Sequence, residues 1–264
     1  MLQLVLTFKG SVLEFANLTI EIALFLFIIA IIAGFLDTLA GGGGLLTLPA
    51  LMMSGIPTLT ALGTNKLQSS MGTATATVMM LRARRVRWHQ VKYLMLTSFI
   101  GSALGTAIIQ FVDVQMLTFI IPVVITCIGI YFLITPTFDE ENKLPRVSSE
   151  NYKKYVIPLI GCYDGFFGPG TGSFFTLAGR ALRGQKFLQA TAIAKTLNFS
   201  TNIASLIIFI FAGQVIWMVG LTMMCGQFIG AWIGSHFLFK IPVNYLRYLV
   251  VFICFAMLIN YVST

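Results

Sequence analysis

The sequence predicts an all-α polytopic membrane protein organised as an inverted repeat, each half a broken helical hairpin followed by three transmembrane helices. Two observations carry this. Apolar runs long enough to cross a bilayer fill most of the chain, and one set of polar residues occurs twice at a nearly constant spacing. The 264 residues are 57% hydrophobic and only 10% charged, whereas a soluble domain carries about 25% charged residues. Mean hydropathy is +0.89. Runs 20–36, 64–81, 93–112, 117–135, 190–211, 215–239 and 246–262 each approach the length needed to span, which is roughly 20 residues at 1.5 Å per residue.

The repeat is read from residue pairs. Lys66 and Lys195 are 129 apart, and so are Trp88 and Trp217, Gly101 and Gly230, Gly105 and Gly234, and Leu117 and Leu246. Asp37 and Asp164 are 127 apart. The expected division is an N-terminal repeat at 1–135, a linker at 136–151 and a C-terminal repeat at 152–264. The recurring similarity itself runs near 20–135 and 152–262.

In each half an Asp and glycine cluster is followed by an apolar stretch too short to span, Leu45–Met53 or Ser173–Ala178. Each therefore reads as a hairpin that enters and leaves on one side, with its glycine turn at depth. A hairpin plus three spans is an odd topology, so the second half is inverted. Charge agrees. Inversion gathers Arg82, Arg84, Arg85, Arg87, Lys92, Lys143, Arg146, Lys153, Lys154, Arg180, Arg183, Lys186, Lys240 and Arg247 on one face, 14 of the 17 basic residues. Only Lys9 falls on the other, while Lys66 and Lys195 lie within spans. The positive-inside rule then puts both termini outside.

The formal charge of +8 belongs to these connections and marks orientation, not nucleic-acid binding. Met1 to Asn17 lacks a signal-peptide pattern and is expected to be mature chain. Cys127, Cys162, Cys225 and Cys254 lie in apolar segments without paired spacing, and His89 and His236 have no partners at ligand spacing. No metal, cofactor or catalytic group is expected. Gly101-x-x-x-Gly105 and Gly230-x-x-x-Gly234 read as helix-packing faces.

The chemistry is expected at the glycine turns and in the segments after them. Unwound backbone at Gly41, Gly42, Gly43 and Gly44, and at Gly168, Gly170, Thr171 and Gly172, is tolerable in a membrane only when buried in protein or lining a cavity. Short helices starting near Leu45 and Gly172 would point free N–H groups and a positive dipole end at the turn, a cradle for an anion. Asn65, Lys66, Gln68, Ser69 and Thr73, with Lys195, Asn198 and Asn202, add cationic and hydrogen-bonding groups suited to an oxyanion. The same residues also admit a plainer reading, with glycines packing helices and lysines reaching the interface. Asp37 and Asp164 either carry a coupling proton or orient the turns.

At these residues the chain resembles the TauE/SafE family of sulfite and sulfonate transporters. The likeness rests on Ala33 to Asp37 with Gly41–Gly44 and Pro49, on Leu62 to Ser69, and on Gly161 to Phe174. It implies a bacterial-type inner-membrane permease for a small sulfur-containing anion such as sulfite, a sulfonate, sulfoacetate or thiosulfate. Rocking of one inverted half against the other would give alternating access, and with no ATP-binding motif in the chain an ion or substrate gradient would drive it. Its partners would be that anion, protons and the lipid bilayer. A carrier of another anion such as a carboxylate, a cation carrier, and a non-transporting membrane accessory protein or intramembrane enzyme stand as alternatives.

Overall fold

A computed structural model describes residues 20–134, 144–237 and 255. The run 246–262, the termini, and the basic residues Lys9, Lys143, Lys240 and Arg247 lie outside the described residues, Phe255 excepted. All regular structure among the described residues is helical. The first half holds α1 (Ile20–Ala40), α2 (Gly44–Met53), α3 (Thr58–Arg82), α4 (Trp88–Ile109) and α5 (Val114–Ile134). The second begins with α6, which opens at Ser149–Asn151, widens into a π turn at Tyr152–Val156 and continues over Ile157–Phe166. It goes on with α7 (Thr171–Arg183), α8 (Phe187–Phe211) and α9 (Trp217–Phe237). The π turn falls where Pro158 has no N–H to offer the preceding turn.

By length and composition α1, α4, α8 and α9 can each cross a membrane. The helix α3 matches α8 at 25 residues, but polar side chains from Thr64 to Thr77 dilute its apolar run. The stretch after the second glycine turn is longer than the six apolar residues expected. The helix there runs for 13 residues, because Gly179 to Arg183 continue it as a polar face. It stops at Gly184, whose φ of +66° suits a glycine helix stop. At about 20 Å it is still too short to span.

Helix α4 shows how the assembly is turned inside out relative to a soluble protein. Leu96, Ile100, Leu104 and Ile108 form an exposed stripe at four-residue spacing, while Ser98, Gly101, Ser102, Gly105 and Thr106 are buried. Small and polar residues line the helix contacts, and large apolar residues face outward to lipid. Any Cβ at Gly101 or Gly105 would run into the carbonyl oxygens of Pro158 and Cys162 on α6. The matching glycines Gly230 and Gly234 stand in the same way against Ile31 and Phe35 of α1.

These contacts are reciprocal. The fourth helix of each half packs on the first helix of the other, α4 on α6 and α9 on α1. Between them α3 and α8 run antiparallel: Thr77 Oγ1 donates to the Lys195 carbonyl at 3.2 Å, and Asn202 Nδ2 meets Thr73 Oγ1 at 3.4 Å. Farther along, the Ile216 N–H donates to Thr64 Oγ1.

Basic segments gather at one end. Lys92 and Lys153 both lie over the Tyr93 ring, at 4.9 and 5.7 Å. The backbone N–H groups of Arg146 and Val147 donate to the Leu182 carbonyl, and Arg183 donates to that of Val147. The strap before α6 is thus tied to the end of α7, so these two helices leave and return on one side. Replacing Gly105 with Leu should drive α4 off α6, costing at least about 1–3 kcal/mol and lowering the melting temperature in detergent. Leu104→Ala, on the lipid face, should leave it nearly unchanged.

Candidate functional site

The two broken segments meet head to head. Gly41 turns the chain out of α1 with φ +78°, and Gly168 and Gly170 turn it out of α6 with φ +92° and +78°. Only glycine adopts these angles without strain. The turns abut: Ser173 Oγ donates to the Ala40 carbonyl, and a Cβ at Gly41 would collide with the backbone of Gly172 and Ser173. Across the contact a Cβ at Gly44 would lie 3.3 Å from Pro169 Cα. Tyr163 Oη holds the second turn by donating to the Pro169 carbonyl at 2.6 Å.

Each turn is fastened by a lysine from the opposite half. Lys66 Nζ lies 2.9 Å from Asp164 Oδ2 and donates to the Asp164 carbonyl at 2.7 Å. Lys195 Nζ lies 3.4 Å from Asp37 Oδ2 and donates to the Asp37 carbonyl. Asp37 Oδ1 also accepts the Gly43 N–H at 3.2 Å. The ammonium groups therefore sit at the C-terminal, negative ends of α1 and α6, where a cation is favoured. Both lysine side chains are 2% exposed or less. Of the roles expected for the aspartates, holding the turns and pairing with lysine is what the geometry displays.

Next to these pairs lies a small cavity. Its walls include Asp37, Gly41, Gly43, Gly44, Asn65, Lys66, Ser69, Thr73, Asp164, Gly168, Gly170, Thr171, Asn198 and Asn202. Fourteen of the eighteen residues singled out from the sequence thus come together. Gly42, Gln68, Gly172 and Lys195 do not line it. Gly172 packs on Gly41, Lys195 stands behind Asp37, and Gln68 stands behind Asn65. The sequence reading missed one wall residue, Gln227 of α9. Its signal was present, a glutamine inside the apolar run 215–239.

Two wall amides keep a donor for the cavity. Asn65 Oδ1 receives Thr47 Oγ1 at 2.6 Å and Gln68 Nε2 at 2.7 Å, which leaves its NH₂ for the cavity. Asn198 Oδ1 likewise faces Thr201 Oγ1. The first turns of α2 and α7 begin at the wall, but several of their N–H groups are taken: those of Leu45, Leu46 and Thr47 donate to the Gly42 and Gly43 carbonyls, and those of Thr171, Ser173 and Phe174 to the Gly168 and Gly170 carbonyls. Because each lysine is matched by an aspartate, side-chain charge at the site cancels. The amides of Asn65 and Asn198 and two positive helix ends remain at the wall.

Three bacterial proteins resemble this chain over nearly its whole length, each described as a probable membrane transporter protein. That of Haemophilus influenzae is 42% identical over 241 residues, covering 91% of this chain and 94% of its own. The Escherichia coli protein YfcA is 41% identical over 232 residues, 88% of this chain and 86% of its own. A Sinorhizobium protein is 40% identical over 244 residues, 92% and 94%. No solved structure matches the chain. Spans, broken hairpins and these relatives make the chain a membrane transporter. The family model described as Sulfite exporter TauE/SafE matches residues 26–261, and the chain belongs to the TauE/SafE family.

The reciprocal pairs make a sharp prediction. Lys66→Met alone should strand the Asp164 carboxylate and cost about 3–5 kcal/mol, seen as a large fall in melting temperature. Lys66→Met with Asp164→Leu should recover much of that loss.

Proposed function

We propose that this protein is a secondary transporter of a small sulfur-containing oxyanion such as sulfite, a sulfonate, sulfoacetate or thiosulfate. One observation carries the reading: a small cavity at the N-terminal ends of two broken helices, with the amides of Asn65 and Asn198 on its wall. An oxyanion accepts hydrogen bonds in several directions and matches that lining. The family description, sulfite exporter, favours sulfur among the oxyanions.

The two halves, 1–135 and 152–264 joined by the linker 136–151, act as inverted repeats. The antiparallel α3 and α8, matching at Thr73 and Asn202, support this, as does the exchange of lysine–aspartate pairs. The basic end that joins Lys92, Lys153 and Arg183 is cytoplasmic, which leaves both termini outside the inner membrane. Rocking one half against the other around the cavity exposes it to each side in turn. Asp37, whose side chain is 16% exposed against 2% for Asp164, is the carboxylate placed to carry a coupling proton.

The test is uptake of sulfite, thiosulfate and methanesulfonate into proteoliposomes, with and without a pH gradient. Asn65→Ala with Asn198→Ala removes cavity donors without breaking an ion pair, and should cut uptake about tenfold or more. Equal uptake by this variant, or transport of a carboxylate with none of the sulfur anions, would contradict the reading.

A further inference from the structure

The cavity is two-fold in its ion pairs but not in its walls. Gln227 lines it, is 2% exposed, and its carboxamide makes no hydrogen bond among the described residues. A buried amide without a partner is costly unless something outside the protein chain completes it. Room for it is made by two glycines. A Cβ at Gly34 would lie 2.8 Å from Gln227 Oε1, and one at Gly72 would lie closer still.

The other half is built differently at the same place. The residue 129 before Gln227 is Ser98, and the residue 129 after Gly72 is Thr201. Ser98 is fully buried and donates to its own helix at Met95, and Thr201 donates to the Asn198 carbonyl. Neither lines the cavity. Where one half has Gln227 beside Gly72, the other has Ser98 and Thr201 at the matching positions, and the cavity amide is absent there.

Along α3 the polar wall runs from Asn65 through Ser69 to Thr73, about 12 Å at 1.5 Å per residue. That is longer than a single sulfur oxyanion. We propose that Gln227 is a specificity-determining residue, reading a second polar group on a cargo whose anionic head lies at the donors of Asn65 and Asn198. The favoured class is a small two-ended anion held in one orientation. This rests on the anion-transport reading above.

Two sulfonates that differ by one hydroxyl, ethanesulfonate and 2-hydroxyethanesulfonate, test it in proteoliposomes. The wild type should prefer the hydroxylated one. Gln227→Ala should reduce that ratio of kcat/KM about tenfold or more, whereas Ser98→Ala should keep it. Gln227→Ser with Gly72→Thr borrows the packing of the other half, so it should melt like the wild type and still lose the preference. Equal handling by the wild type, or a ratio that survives both Gln227 variants, overturns the proposal.

A cargo-independent measurement separates this from failure of the transport reading. With Cys127, Cys162, Cys225 and Cys254 replaced by Ser, the Gln227→Cys variant should react with a water-soluble methanethiosulfonate, and the Ser98→Cys variant should not. Absence of labelling at position 227 overturns the assignment even if anions are transported. Labelling supports it even if these sulfonates are not.

Discussion

An ammonium group has no stable place alone inside a membrane protein, and the two buried lysines, Lys66 and Lys195, are each matched by the opposite half. Lys66 reaches the end of α6, and Lys195 reaches the end of α1. Each bond joins a broken helix to a continuous one across the repeat boundary. The turns could not stay unwound without this, because their last carbonyls need a donor that lipid cannot provide. Removing a pair would free the turn it holds, so the cavity depends on ion pairs that stand at its wall.

Charge and recognition are divided between different residues. The lysines and aspartates cancel, and the amides, hydroxyls and helix N-termini are left to meet a ligand. On the transport reading proposed above, a site without net side-chain charge can release an anion as readily as it takes one up. Close approach of α4 to α6 and of α9 to α1 ties the two halves together, and α3 and α8 pack between them, with polar contacts at Thr77 and Asn202.

Much of this was legible in the sequence. The offset of 129 residues reappears in the helix starts, Thr58 with Phe187 and Trp88 with Trp217. The glycine turns and nearly all the polar wall residues were found because polar groups within apolar runs are rare enough to stand out. What was not legible depends on pairing in three dimensions. Lys195 looked like a wall residue, yet its partner Asp37 draws it out of the cavity. Gln227 was missed because its counterpart Ser98 does not line the cavity, and a search by repetition cannot see an asymmetric residue. The length of α7 was underestimated because counting apolar residues ignores a helix that continues along a polar face.

The most direct measurement is an electron cryomicroscopy or crystal structure with selenite, a heavier analogue of sulfite, located by its selenium. Selenium bound between the first turns of α2 and α7, within hydrogen-bond reach of Asn65 and Asn198, is the predicted result. Selenium only at the exposed arginines of the α3–α4 connection, with the cavity closed around its ion pairs, would contradict the account.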